Sequence, residues 1–322
     1  MTPDRRRFLQ LTAAAAGAPL LRATPVAAAA PQLLRVLMIK TDGVKTLLWA
    51  QQQQLFEKHG LTVNVVPMQS GAATLPALIG GSGEIGAGSL FPMFAAFARG
   101  IPLKLVAPAS LYLSDHADSL LLVRSDSPIR SARDLNGKII GVDSLNDVYT
   151  LATKAWVDQG GGDGSSVKPV ELPAAEDLPA LEAGRIDAGI FKTPFGSIAL
   201  DTGKVRLLGK PLDAIAPSFL LSAWVATADF VAKNASAVSE FQSVMADAGR
   251  YTNGHEDATV DLIATFTGQD PAQVRSSVRA TTAITCSLAQ LQQPLDFAYK
   301  YQLIPKQFDV REMLAPGFPL SG

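Results

Sequence analysis

The sequence predicts an α/β fold in two lobes, and three observations carry that prediction. Short apolar runs alternate with helical stretches in the order strand, helix, strand, helix, the pattern of a parallel sheet covered by helices. The alternation starts afresh near residue 138. The chain of 322 residues is also longer than one compact core usually holds, even when its N-terminal segment is set aside.

That segment has the composition of an export signal. Arg5, Arg6 and Arg7 precede Phe8 and Leu9, and residues 10–21 contain no charge. A basic start, an apolar middle and the small residues Val26-Ala27-Ala28-Ala29-Ala30 predict removal of residues 1–28, with cleavage near 28–30. Arg5-Arg6-Arg7-Phe8-Leu9 resembles the twin-arginine motif, whose machinery exports folded proteins. Asp4 and Gln10 depart from that motif, and an ordinary secretory signal is the alternative. Either route leads out of the cytoplasm, here to the periplasm. Residues 9–21 are too few for a membrane span, which needs ~20 apolar residues.

Without residues 1–28 the chain keeps 24 basic and 28 acidic residues, a net charge of −4. That balance argues against nucleic acid as a partner. Cys286 is the sole cysteine, so no internal disulfide and no thiolate metal cluster can form, and it reads as a small buried apolar residue.

In the first lobe, residues 33–39 form a short apolar run that reads as a buried strand, with Asp42-Gly43 as the following turn or helix N-cap. A helix is expected over residues 45–59, ended by Gly60 in the left-handed conformation. Residues 63–68 are the next strand, Ser70-Gly71 a turn, and residues 72–79 a helix. In the second lobe, Asp134-Leu135-Asn136-Gly137 introduces a strand at 138–142. Ser144-Leu145-Asn146 then leads into a helix ending near Gln159, closed by Gly160-Gly161-Gly162. Residues 167–172 read as a strand, 178–182 as a short helix, and 188–191 as a strand opening into Lys192-Thr193-Pro194.

Two further apolar runs, 120–123 and 219–225, bracket the second lobe and are expected to form a two-strand hinge. Lobe one is accordingly residues 29–120 and 221–322, and lobe two residues 121–220. From Asp229 onward the chain reads as helices, with Val238, Phe241, Met245 and Ala248 on one apolar face. Asp270-Pro271-Ala272-Gln273 is a helix start. This tail is expected to pack on lobe one.

In open parallel sheets, ligands bind beyond the carboxyl ends of strands, where helix N-termini offer unpaired N–H groups. Five turns qualify. In lobe one they are Thr41-Asp42-Gly43, Ser70-Gly71-Ala72 and Ser89-Leu90-Phe91; in lobe two they are Ser144-Leu145-Asn146 and Lys192-Thr193-Pro194-Phe195. Exposed amides favour anions, although each Ser, Thr, Asp or Asn there also suits a helix cap without a ligand. Lys192 follows an apolar strand, where an ammonium needs solvent, a carboxylate or a bound anion. Lys45 is a weaker case, and either could be a snorkelling surface lysine. Asp42 and Asp147 beside the same turns would repel an anion unless they cap helices or pair with those lysines. The charge of the ligand stays open.

Catalytic motifs are sparse. His59, His116 and His255 lack metal-ligand spacing, and there is no Gly-x-Ser-x-Gly elbow, no Gly-x-x-x-x-Gly-Lys loop and no dinucleotide fingerprint immediately after a strand. Phe91, Phe94 and Phe97 stand at helical spacing and read as core. The expectation is a small-molecule binder without catalytic residues, metal or cofactor.

Three segments, Leu78-Ile79-Gly80-Gly81-Ser82-Gly83-Glu84-Ile85-Gly86, Asp134-Leu135-Asn136-Gly137-Lys138-Ile139-Ile140-Gly141-Val142 and Leu181-Glu182-Ala183-Gly184-Arg185-Ile186-Asp187-Ala188, carry a family resemblance by their order and spacing. The chain resembles the solute-binding proteins of nitrate, taurine and alkanesulfonate ABC importers, the group that includes the SsuA/THI5-like (NMT1) domain. The resemblance covers nearly all of the mature chain. It implies a type II periplasmic-binding-protein fold that closes on a sulfonate-, nitrate-, carboxylate- or pyrimidine-like solute and delivers it to the transmembrane subunits of an ABC permease. Glu84 stands where the family usually has Asp, and Lys192 lies where an aromatic or acidic residue before the Pro is common. The THI5-like enzymes of this fold carry a cysteine-rich motif, which one cysteine cannot supply. An enzyme on the same fold and a secreted ligand-sensing domain are the alternatives.

Overall fold

The computed structural model describes residues 31–145 and 147–321. The expected export signal and Asn146 lie outside the described residues. In chain order the strands are β1 (Gln32–Ile39), β2 (Leu61–Met68), β3 (Ile85–Ser89), β4 (Leu103–Leu113), β5 (Ser119–Arg124), β6 (Ile139–Val142), β7 (Lys168–Glu171), β8 (Ala188–Lys192), β9 (Val205–Gly209), β10 (Ser218–Thr227) and β11 (Thr281–Thr282). They assemble two sheets, ordered β11-β4-β10-β3-β1-β2 and β7-β6-β8-β5-β9. This is the α/β, type II periplasmic-binding-protein architecture expected from the sequence.

Strand β1 shows why the parallel core forms. Leu34, Val36, Leu37 and Met38 are all fully buried, as a strand covered on both faces requires. It runs parallel to β2, with Leu34 opposite Val63 and Val36 opposite Val65, and parallel to β3 on its other side. Neither sheet is wholly parallel. Strand β10 runs antiparallel to β3 and β4, and β5 antiparallel to β8 and β9. Strands β5 and β10 each follow a passage from one sheet to the other, and β11 also pairs antiparallel with β4.

The chain crosses between the sheets at residues 114–118 and 210–217. The runs 120–123 and 219–225 lie just beyond these crossings, inside β5 and β10. They are apolar because both strands are interior to their sheets. The crossings themselves hold polar residues such as Ser114, Asp115, Lys210 and Asp213.

Strands β4, β9 and β11 are not anticipated from the sequence. In β4, Pro108 interrupts the strand signal, and the fold absorbs it with an irregularity in the ladder. Ser222 pairs with Ser110 but Ala223 pairs with Pro108, leaving Ala109 as the extra residue of a bulge. The carbonyl of Ala109 accepts the Ala283 amide at 3.0 Å. The expected helix over 45–59 is two pieces, α1 (Lys45–Gln52) and α2 (Leu55–Lys58), because Gln54 takes a left-handed conformation (φ 53°).

Helices α3 (Gly71–Ile79) and α4 (Leu90–Ala98) follow β2 and β3. Helices α5 (Val148–Gln159), α6 (Ala174–Glu182) and α7 (Phe195–Asp201) serve the second sheet. The C-terminal part adds α8 (Ala228–Lys233), α9 (Ala235–Gly254), α10 (Val260–Thr267), α11 (Pro271–Ser276) and α12 (Leu288–Lys300), with β11 interrupting the helical run. Val238, Phe241, Met245 and Ala248 of α9 are buried. The Phe241 ring lies 5.8 Å from Phe56 and 5.5 Å from Trp224, seating the tail on the first sheet.

Candidate functional site

A cavity of about 90 Å³ lies between the two sheets. That is room for roughly six to nine waters at ~10–15 Å³ each, the scale of a small solute. One wall, from the first sheet, includes Thr41, Gly43, Gly71, Thr74, Ser89, Ser110 and Ser222; the other includes Asp118, Asp143, Ser144, Asp147, Tyr149, Lys192 and Thr193. A Cβ placed on Gly71 would stand 3.7 Å from Asp143 Oδ2, so the walls approach within one side chain of each other.

Local structure explains the second wall. Strand β6 ends at Val142, and Asp143 is the next residue. Asp147 is the N-cap of α5, its Oδ1 accepting the Val148 amide at 2.6 Å, and this sets Tyr149 in the first turn. Lys192 is the last residue of β8, and the alternation of the strand sends Phe191 into the core and Lys192 toward the cavity. The register of β5 against β8 pairs Ser119 with Lys192. Asp118 therefore lies beside the turn after β8, where its carbonyl accepts the Thr193 amide at 2.8 Å. On the first wall, the bulge at Ala109 brings Ser110 and Ser222 together, with their hydroxyls 2.6 Å apart.

The electrostatics of the second wall are dominated by carboxylates. The Lys192 ammonium donates to Asp143 and lies 4.2 Å from the centroid of the Tyr149 ring. Burial works to lower the Lys192 pKa, but Asp143, Tyr149 and Asp147 outweigh it and hold the lysine protonated. Burial pushes Asp118 up to about 6, against the pull of Lys192. Burial and the neighbouring Asp143 likewise push Asp147 up to about 6, and burial raises the Tyr149 phenol. Beneath this wall Asp177 is 3% exposed, its Oδ1 without a hydrogen-bond partner, and burial followed by Asp143 raises it to about 8.

These shifts predict how the ligand-free protein responds to pH. Asp118, Asp147 and Asp177 all have folded pKa values above the ordinary 3.8. The folded state thus holds extra protons in acid, and this contribution to stability is lost as pH rises through about 6 and then about 8. Thermal denaturation should give a higher midpoint near about pH 5 than near about pH 8. A midpoint that falls steadily over that interval on acidification would contradict the assignment.

Thr41, Gly71, Ser89, Ser144 and Lys192 of the sequence-predicted residues line the cavity, so each of the five turns contributes, though Asn146 itself lies outside the described residues. Asp42 and Lys45 do not line it. Both are buried behind the first wall, where Asp42 Oδ1 accepts Arg279 Nη2 at 2.5 Å and Nε at 2.9 Å. Asp42 Oδ2 accepts the Ala280 amide at 2.7 Å and lies 3.5 Å from Lys45 Nζ, which donates to the Ala280 carbonyl at 2.5 Å. Leu90 and Phe91 open α4 and turn into the apolar core, at 0% and 1% exposure. Ser70 stands at the N-cap position of α3 without a side-chain capping bond and Phe195 starts α7, both outside the cavity lining. Asp143 follows the same strand-end rule as the predicted turns. Asp118 and Tyr149 depend on β5–β8 register and on the first turn of α5, which spacing alone does not reveal.

Residues 43–259 match the family profile described as NMT1/THI5 like. The chain belongs to the NMT1/THI5-like family. Among its relatives is a protein of Escherichia coli (strain K12) named as an aliphatic sulfonates-binding protein, 27% identical over 305 residues that cover 92% of each chain. The taurine-binding periplasmic protein of the same organism is 26% identical over 253 residues, covering 73% of this chain and 74% of its own. The crystal structure of the periplasmic aliphatic sulphonate binding protein SsuA from Escherichia coli superposes with a TM-score of 0.72 at 24% identity, over 91% of this chain and 94% of that one. That crystal structure shares the fold of the chain described here.

Proposed function

We propose that this chain captures a small solute between its two lobes, as the exported binding component of an ABC importer, and releases it unchanged to the transmembrane subunits of a permease. The carrying observation is the cavity itself, enclosed by turns from both sheets and supplied with polar side chains from each. The binding-protein names of relatives aligned over most of the chain support the same reading. Catalysis finds less support: the cavity's ammonium is held by Asp143, and its hydroxyls have no histidine beside them among the lining residues.

In this reading lobe one (29–120 and 221–322) and lobe two (121–220) move about the crossings at 114–118 and 210–217, trapping solute as they close. Contacts of residues 277–280 with lobe two and with the first crossing favour the closed form. Thr193 Oγ1 donates to the Val278 carbonyl, the Val278 amide donates to Ser197 Oγ at 3.1 Å, and His116 Nε2 lies 2.9 Å from the Arg279 carbonyl. The twin-arginine machinery would deliver the folded protein to the periplasm. No helix among the described residues is long and apolar enough to cross a membrane.

A thermal-shift panel of sulfonates, nitrate, carboxylates, pyrimidines and amines tests the proposal. A ligand at 100 times its Kd adds ~2.7 kcal/mol, enough to raise the melting temperature by several degrees. The hit should be recovered chemically intact after prolonged incubation. Reproducible turnover would replace the binding reading with an enzymatic one.

A further inference from the structure

We infer that the solute is a cation, carrying an ammonium, amidinium or related nitrogen group that docks between Asp118 and Asp147 with the Tyr149 hydroxyl beside it. The inference rests on the reading of the cavity as a solute site and names the chemical class that site would take.

The first observation is the balance of charge. Among the lining residues three carboxylates, Asp118, Asp143 and Asp147, face one ammonium, Lys192. That ammonium is already committed to Asp143 and to the face of the Tyr149 ring. An anionic solute would have to take Lys192 from Asp143 and then lie against two further carboxylates. Asp118 receives the Ser119 hydroxyl at 3.3 Å, and Asp147 receives the Val148 amide at 2.6 Å and the Ser89 hydroxyl. A carboxylate offers about four acceptor sites, so both keep capacity for a donor that enters the cavity.

The second observation is independent of the carboxylates. Tyr149 is 5% exposed and lines the cavity, yet its hydroxyl has no hydrogen-bond partner among the described residues. Because Tyr149 lines the cavity, a group of the solute can be that partner. Since Lys192 covers the ring, the hydroxyl is the part of Tyr149 left to make contact.

The surrounding charges do not reverse the balance at the wall. Behind the first wall Asp42 is held by Arg279 and Lys45, and both cations turn toward Asp42 and backbone carbonyls. Beneath the second wall Asp177 adds another acid. A bound cation would draw the Asp118 and Asp147 carboxyls back toward their ordinary range, relieving the burial that raises them.

The experiment uses the whole mature protein and a small-molecule extract of bacterial cells, divided near neutral pH into fractions retained on a cation exchanger, retained on an anion exchanger, or retained on neither. The stabilising component should be in the cation-exchanger fraction and should raise the melting temperature by several degrees. Stabilisation confined to the anionic or unretained fraction overturns the cationic assignment and leaves solute binding intact. Stabilisation by no fraction overturns both. Asp118→Asn and Asp147→Asn then test the contacts. Each should weaken the response to the cationic fraction at least tenfold, while the ligand-free melting temperature at neutral pH stays at or above that of the parent. Two variants that respond to the cationic fraction as the parent does would overturn the docking site.

Discussion

Asp42→Ala should lower stability by about 3–5 kcal/mol, the cost of breaking a buried ion pair by removing one partner. Asp42 accepts from Arg279 through Oδ1 and from the Ala280 amide through Oδ2, with Lys45 on its other side. Its removal would leave two cations, Arg279 at 3% exposure and Lys45 at 1%, facing each other without a counter-charge. Burial already lowers the Lys45 pKa, and Asp42 is the main group opposing that fall. The melting temperature should drop by roughly 5–15 °C, and Asp42→Asn, which keeps an acceptor for the Ala280 amide, should lose less. Unchanged stability together with weakened ligand binding would return Asp42 to the role of a ligand contact.

Lys192→Met should be nearly as costly at neutral pH, about 3 kcal/mol, with a signature the first variant lacks. Without the ammonium, Asp143, Asp147 and Asp118 confront one another in a mostly buried wall where Lys192 itself is only 16% exposed. Lys192 is a leading influence holding down Asp118 and Asp147, so their pKa values should rise further above about 6 in the variant. A raised carboxyl contributes stability that is present in acid and lost as pH rises through its folded pKa. The deficit of Lys192→Met relative to the parent should therefore narrow on going from about pH 7 to about pH 5. Parallel thermal melts at the two pH values decide it; an equal deficit at both would mean that lost packing, not charge, explains the cost.

The two variants perturb the surroundings of two lysines that the sequence marks out, Lys45 and Lys192, and the structure separates them. Lys45 and Lys192 each lie at a strand-end turn, and chain spacing could not tell which one faces a cavity. The difference comes from Arg279, 237 residues from Asp42 along the chain, which turns the Asp42–Lys45 turn into an internal ionic cluster. Fold class was legible because the alternation of β1, α1, β2 and α3 is local, and the helix start at Asp270 because a cap is local. Strand β4 was hidden by Pro108, whose tolerance depends on a bulge against β10. The chain crossings were displaced by a few residues because interior strands and connecting strands can carry the same apolar pattern. Of the site, the five strand-end turns follow from the sheet rule. Asp118 and Tyr149 do not, since inter-strand register and the direction of one helix's first turn place them.

The short stretch from Ser277 to Ala280 touches both sides of the cleft. Its Val278 peptide is gripped by Thr193 and Ser197, while its Arg279 and Ala280 are anchored on Asp42. In the proposed closing motion it would serve as a clasp, held to one jaw by the buried Asp42 bonds and to the other by a few bonds exchangeable with water. How long a guest stays inside would then depend on a strip of main chain that does not line the chamber, and residence time could be altered there without changing which guest is chosen.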